Sequence, residues 1–225
     1  MRISQKKRKI GYTYGSVSGV FPFRGKKNIQ FESTLERDLL MIMEYDPCVT
    51  DVIEQPVTIE YTNKNGREVT YTPDFLVHYH PPHPLCNYKL NVSKLIEVKP
   101  NNLLKKNWLA IRPKLKIGTA HARQQGWIFC IYDESRIRST CLDNINFLKR
   151  HRNHQYDAHE ELRIINYITK KKNVSVEKLL KYLYSSEADK RTAKFQIWHL
   201  LSKHKLLCDM GRPLNITTTI WNNTH

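Results

Sequence analysis

Residues 94–100 read Lys-Leu-Ile-Glu-Val-Lys-Pro, and about twenty positions earlier residues 71–75 read Tyr-Thr-Pro-Asp-Phe. The first stretch has the β-branched and apolar content of a strand, and side chains two apart on a strand share a face. Glu97 and Lys99 therefore project together, while Ile96 and Val98 pack on the opposite side. On the earlier strand Val69, Tyr71, Phe75 and Val77 share one parity, which puts Asp74 with Thr72 and Leu76 on the other. If the two strands are neighbours, Asp74, Glu97 and Lys99 converge. Phosphodiester hydrolysis uses that set of groups: hard oxygen ligands for Mg²⁺ and a lysine beside the attacking water or the phosphate. The opposing reading is a solvated surface ion pair of little energetic consequence.

The elements around this pair give an order. Glu32 to Tyr45 reads as a helix, with Leu35, Leu39, Ile42 and Met43 at helical spacing after a Ser33/Thr34 start. Strands are expected at Val52–Tyr61, Glu68–Tyr79 and Lys94–Lys99, with a hairpin turn at Asn63-Lys64-Asn65-Gly66 joining the first two. A helical stretch follows from about Leu103 to Gln125, with a break expected at Pro113. Gly126 ends it, and Trp127–Tyr132 forms a last strand. The order is helix, three strands, helix, strand.

Glu36 is a further candidate for the site. It precedes Leu39, Leu40 and Met43 by three, four and seven positions, so it faces the packed side, where a carboxylate needs a partner or a metal. Ser33-x-x-Glu36 is equally a capping box, in which Glu36 returns a hydrogen bond to the helix start. Both readings of Glu36 stand on spacing alone.

Charge points to the partner. The chain has 225 residues, with 37 Lys and Arg against 21 Asp and Glu, a formal net charge of +16. Such a field attracts polyanions and gains from counterion release, so nucleic acid is the expected partner. The basic start, Met-Arg-Ile-Ser-Gln-Lys-Lys-Arg-Lys, lacks an apolar core and reads as an arm for a DNA backbone instead of a secretory signal. No long apolar helix or lipidation signal argues for a membrane. Cys48, Cys86, Cys130, Cys141 and Cys208 have no paired spacing, so free buried thiols are expected. His78, His80 and His83 sit among Pro81, Pro82 and Pro84, which mark a loop, and no Cys joins them at a zinc spacing. His121, His151, His154 and His159 read as basic surface residues.

The polar, basic stretch from Asp143 to Asp157 divides the chain near 150, giving a first domain over 1–150 and a second over 151–225. In the second, Leu162, Ile165 and Ile168 mark one helix. Val176, Leu179, Leu180 and Leu183 mark another, started by Ser175. A third runs from about Asp189 to His204 with Phe195, Ile197, Trp198 and Leu201 inside. Lys190, Arg191, Lys194 and Lys203 lie outside on this helix and are the candidate DNA-binding residues. Leu206-Leu207-Cys208 and Ile216–Trp221 complete a two-stranded wing. Three helices and a hairpin describe a winged helix, whose third helix can enter a major groove.

Four blocks in order, FESTLERDLLMIMEYDP (31–47), EQPVTIEY (54–61), YTPDFLV (71–77) and LIEVKP (95–100), resemble the TnsA family of heteromeric transposase subunits. The resemblance covers essentially the whole first domain. It implies an α/β restriction-endonuclease-like fold with the PD-(D/E)xK signature, carried by Pro73-Asp74 and Glu97-x-Lys99. It implies a DNA endonuclease that cuts the 5′ ends of a transposon while a partner transposase, TnsB, cuts and joins the 3′ ends. Carried over by position, the family's helix glutamate falls on Glu36, its strand aspartate on Asp74, the residue before its lysine on Glu97, and the lysine on Lys99. Some members have glutamine in place of Glu97, which leaves open whether that side chain binds metal directly. Glu36, Asp74 and Glu97 are thus the implied ligands of one or two Mg²⁺ ions, with Mn²⁺ able to substitute. Docking of the C-terminal domain on the AAA+ regulator TnsC, and a place in the bacterial cytoplasm at the nucleoid, follow from the same resemblance. The short chain is similar to members from CRISPR-associated transposons. Two other readings remain: a stand-alone restriction or junction-resolving nuclease, and a non-catalytic DNA-binding adaptor.

Overall fold

The computed structural model describes residues 17–80 and 92–222. The chain forms two compact units, up to Ile137 and from Arg138 onward. The basic N-terminal arm and His83 lie outside the described residues.

Among the described residues the first element of the first unit is a hairpin absent from the expected order, β1 (Gly19–Phe23) and β2 (Lys27–Phe31), paired antiparallel. Its turn holds Arg24 and Gly25 at φ of 52° and 67°. The Arg24 guanidinium donates to the carbonyls of Glu44, Asp46 and Val49, tying the hairpin to the end of the next helix. That helix, α1 (Thr34–Tyr45), buries Leu35, Leu39, Leu40 and Met43. Ser33 caps it, and Asp46-Pro47 ends it.

Next come β3 (Val49–Glu54), β4 (Ile59–Thr62), β5 (Glu68–Tyr71), β6 (Phe75–Tyr79) and β7 (Lys94–Val98). The expected strand at 52–61 is thus two strands, broken where Gln55 adopts a positive φ of 44° before Pro56. The expected strand at 68–79 is also two, because Thr72-Pro73-Asp74 leaves the β4–β5 hairpin and enters the main sheet. The turn at 63–66 forms as expected: the Asn63 side chain accepts from the Asn65 and Arg67 amides, and Gly66 takes a φ of 72°. After β7, α2 (Asn101–Lys106) and α3 (Trp108–Gln124) precede β8 (Ile128–Tyr132) and the short α4 (Glu134–Ile137). The helical break falls at Asn107 and not at Pro113. Pro113 sits within α3, and the carbonyl left without its donor is that of Leu109, which is 83% exposed and open to water.

The main sheet runs β3-β6-β7-β8, antiparallel except for the parallel β7–β8 pair. One face packs Phe75, Val77, Ile96 and Val98 with α1 and the β1–β2 hairpin. The other packs Leu76 and Leu95 against Ala122 of α3. This mixed α/β sheet flanked by helices is consistent with the expected restriction-endonuclease-like architecture. Cys48 departs from expectation in being disulfide-bonded, whereas Cys130, Cys141 and Cys208 form no disulfide.

The second unit begins earlier than residue 150. Helix α5 (Thr140–Lys149) belongs to it, because Asn144 donates to the carbonyls of Met210 and Arg212 and accepts from the Leu214 amide. Then follow α6 (Ala158–Lys171), β9 (Asn173–Ser175), α7 (Val176–Leu183), α8 (Glu187–Ser202), β10 (Leu206–Cys208) and β11 (Thr219–Asn222). Ser175 caps α7 as expected. The small sheet has three strands in the order β10-β11-β9, one more than expected. Two apolar side chains point outward against the periodicity reading: Leu162 is 57% and Phe195 46% exposed. In α6 the inward positions belong to Ile164 and Ile168, and in α8 they belong to Ala193, Gln196, Ile197, Trp198, Leu200 and Leu201.

Candidate active site

Strands β6 and β7 run antiparallel with Phe75 opposite Ile96, Leu76 opposite Leu95 and Val77 opposite Lys94. Asp74 lies just before this ladder, close enough to Glu97 for the two carboxylates to repel. The Asp74 amide donates to the Ile96 carbonyl at 3.1 Å, and its carboxylate Oδ2 accepts from the Val98 amide at 2.6 Å. The aspartate is therefore fixed where the ladder ends. Ile96 and Val98 pack towards α1, so Glu97 projects to the other face, the side on which Leu95 meets α3. The side-chain geometry expected for Glu97 and Lys99 is the one observed.

Glu97 is no solvated surface residue: it is only 2% exposed. Its Oε2 accepts from the Tyr71 hydroxyl at 2.8 Å, and its Oε1 accepts from Lys114 Nζ at 3.0 Å, with Lys99 Nζ 3.5 Å away. Lys114 Nζ also lies 5.2 Å from the centre of the Tyr71 ring. Burial, then the charge and hydrogen bond of Glu97, push the Tyr71 hydroxyl far above its ordinary range, so it stays protonated and donates. One turn beyond Lys114, Gly118 brings α3 close: a Cβ there would lie 2.8 Å from both the Tyr71 and Phe129 rings. Tyr71 and Lys114 were not singled out as site residues from sequence. Tyr71 adjoins the Pro73-Asp74 motif, but only the fold brings Lys114 to Glu97.

Glu36 forms the capping box of α1. Its Oε1 accepts from the Ser33 hydroxyl at 2.9 Å and its Oε2 from the Glu32 amide at 2.7 Å, while the Ser33 oxygen accepts from the Glu36 amide at 3.1 Å. That is a complete capping box. Glu36 also lies within the electrostatic reach of Asp74 and Lys99. Burial raises the Asp74 pKa well above its ordinary value, repulsion from Glu97 and Glu36 adds to it, and the Val98 amide and Lys99 oppose it. Burial likewise raises Glu36, against the pull of its two hydrogen bonds and of Lys99. Three carboxylates and two lysines thus share one partly desolvated region.

The donor set suits a hard divalent cation, since carboxylate charges that repel one another are stabilised by one. The groups are neighbours and not a finished cage: among the described residues no three His, Cys, Asp or Glu side chains are gathered at metal-binding distances. The histidine cluster gains no support as a zinc site, because His78 Nδ1 is 2.8 Å from the Ser93 hydroxyl and His80 is exposed.

In the second unit Arg191 lies on the solvent face of α8 with Ala188, Thr192 and Phe195. Lys190 is paired with Glu187 at 2.7 Å, and Lys194 Nζ lies 5.6 Å over the Phe195 ring. Lys203 is exposed at the C-terminal cap of the helix.

Residues 46–134 match the family model described as TnsA-like endonuclease N terminal. The match takes in Tyr71, Asp74, Glu97, Lys99 and Lys114. It begins after Glu36 and ends before the second unit. No curated protein matches the chain.

Proposed function

We propose that the chain, whose residues 46–134 match the TnsA-like endonuclease N-terminal model, is the subunit of a heteromeric transposase that hydrolyses the phosphodiester at the 5′ ends of a transposon. The observation that carries this reading is the closeness of Asp74, at the start of one strand, to Glu97 and Lys99 at the end of its neighbour. Asp74, Glu97 and Glu36 would hold one or two Mg²⁺ ions. A bound Mg²⁺ supplies charge neutralisation at the scissile phosphate and acidifies a water for attack, and Mn²⁺ can do the same. Lys99 orients the water or balances the phosphate. Tyr71 and Lys114 aim the Glu97 carboxylate, and the Val98 amide aims that of Asp74.

The second unit is read as a winged helix, with three helices α6, α7 and α8 and the three-stranded sheet interleaved with them. Arg191, with Lys190, Lys194 and Lys203 nearby, would grip duplex DNA beside α8. The same unit would dock the AAA+ regulator TnsC, while TnsB carries out the 3′ chemistry. A soluble bacterial cytoplasmic location at the nucleoid fits these partners. Among the described residues no helix is long and apolar enough to cross a membrane.

The test is a reconstituted end-cleavage assay with candidate transposase and regulator proteins, comparing wild type with Asp74→Ala and Lys99→Ala in Mg²⁺ and in EDTA. Selective loss of 5′-strand cuts with intact 3′-strand chemistry is expected. Unchanged 5′ cutting by Asp74→Ala would remove this site and leave a DNA-binding adaptor. Cutting by the chain alone would point to a stand-alone nuclease.

A further inference from the structure

Helix α8 carries a phenylalanine where its helical pattern called for a core residue. Phe195 stays outside because Gln196 takes an inward position and donates to the Asp157 carbonyl at 2.9 Å. The exposed ring is not alone. It stacks on His151 with centroids 5.7 Å apart and planes 24° from parallel. Together they edge a cleft of about 730 Å³ wholly within the second unit, between the end of α5, the segment after it, α8 and the loop at 214–216. Trp198 meets Phe147 edge-on at 5.5 Å in its floor, and Tyr156 contributes a further ring. His199 Nδ1 donates to the His151 carbonyl at 2.8 Å, which holds the segment bearing His151 in place.

Arg150 and Lys194 line the cleft, and no Asp or Glu does so among the described residues. The pattern is one of aromatic faces interleaved with cations. Bases joined by phosphates fit it, since every base offers a π-face and every phosphate a negative charge. A duplex fits it less well, because its base faces are already covered by one another. We propose that this cleft binds unpaired nucleotides of a DNA strand, with bases stacking on Phe195 and His151 and phosphates meeting Arg150 and Lys194. This goes beyond the duplex grip assigned to α8 and rests on the nuclease reading only in taking DNA as the partner.

The experiment is a fluorescence-anisotropy titration of the full chain, in EDTA, against a short fluorescein-labelled oligothymidine and against a labelled duplex. Phe195→Ala and Arg150→Ala should each weaken oligothymidine binding by about tenfold and alter duplex binding by less than about twofold. Phe195→Trp should restore the oligothymidine affinity, which a folding defect would not allow. Equal oligothymidine binding by wild type and Phe195→Ala would overturn the proposal. So would parallel loss of both ligands, which would make Phe195 part of a duplex surface, or Phe195-dependent binding of an acidic Glu-Tyr copolymer without any of oligothymidine, which would make the cleft a peptide dock. If wild type fails to cut transposon ends in the reconstituted assay but shows the Phe195-dependent binding, the nuclease reading falls and the cleft stands.

Discussion

Glu97 and Phe195 break the ordinary rule of burial in opposite directions. The first unit holds a carboxylate at 2% exposure, and the second leaves a phenylalanine at 46%. Burying a charge is costly unless hydrogen bonds and counter-charges surround it, and Glu97 has Tyr71, Lys114 and Lys99. Leaving an aromatic ring in water forgoes the gain from burying it, unless a ligand covers it. The first unit buries a carboxylate among hydrogen-bond donors and cations, and the second leaves an aromatic ring beside cations at its surface.

The sharpest way to break the contrast is to remove the carboxylate chemistry. Asp74→Ala should slow strand cutting about a thousandfold or more, the loss of several kcal/mol of charge stabilisation at the phosphate, as read in single-turnover cleavage. A rate within tenfold of wild type would mean that the buried centre is structural. Lys114→Met should act less strongly, lowering cleavage by about 10–100-fold through a misplaced Glu97, with partial recovery in Lys114→Arg. Tyr71→Phe leaves Glu97 Oε2 without its donor and should destabilise the chain by about 1–3 kcal/mol in urea unfolding.

On the other side of the contrast, Arg191→Glu with Lys194→Glu should weaken duplex binding by roughly tenfold and flatten its salt dependence, with the melting temperature nearly unchanged. Unchanged duplex affinity together with lost regulator binding would reassign α8 to protein docking.

The smallest effect concerns stability. Asp74 and Glu36 have pKa values raised above their ordinary 3.8 and 4.5. A carboxyl that holds its proton more tightly when folded stabilises the fold below its ordinary pKa, and that contribution is lost as pH rises through the raised one. Metal-free Asp74→Asn should therefore melt higher than wild type at neutral pH, with the difference shrinking as the pH is lowered towards the ordinary carboxylate range. An unchanged or lower melting temperature at neutral pH would show that Asp74 is already compensated without a cation.

Much of the site was legible because strand parity is local. The facing of Glu97 and Lys99 away from Ile96 and Val98 needs no knowledge of tertiary structure, and the Ser33–Glu36 capping box is written in four residues. What parity could not supply was Lys114, fifteen positions beyond Lys99 on a helix whose approach depends on Gly118. The β1–β2 hairpin had a signal that went unread, the alternation of Phe21, Phe23, Ile29 and Phe31 around Arg24-Gly25. The strands broken at Gln55-Pro56 and at Thr72-Pro73 show proline ending runs that composition alone joins. Phe195 was misplaced because helical spacing predicts which residues share a face, not which of two adjacent stripes meets the core.

Whether the acidic centre of the first unit takes up a divalent cation is read most directly by a calorimetric titration of the metal-free chain with Mn²⁺, which depends on neither partner proteins nor DNA. Saturable binding by wild type, lost in Asp74→Asn, is expected. Equal binding by the two, or none by folded wild type, would contradict it.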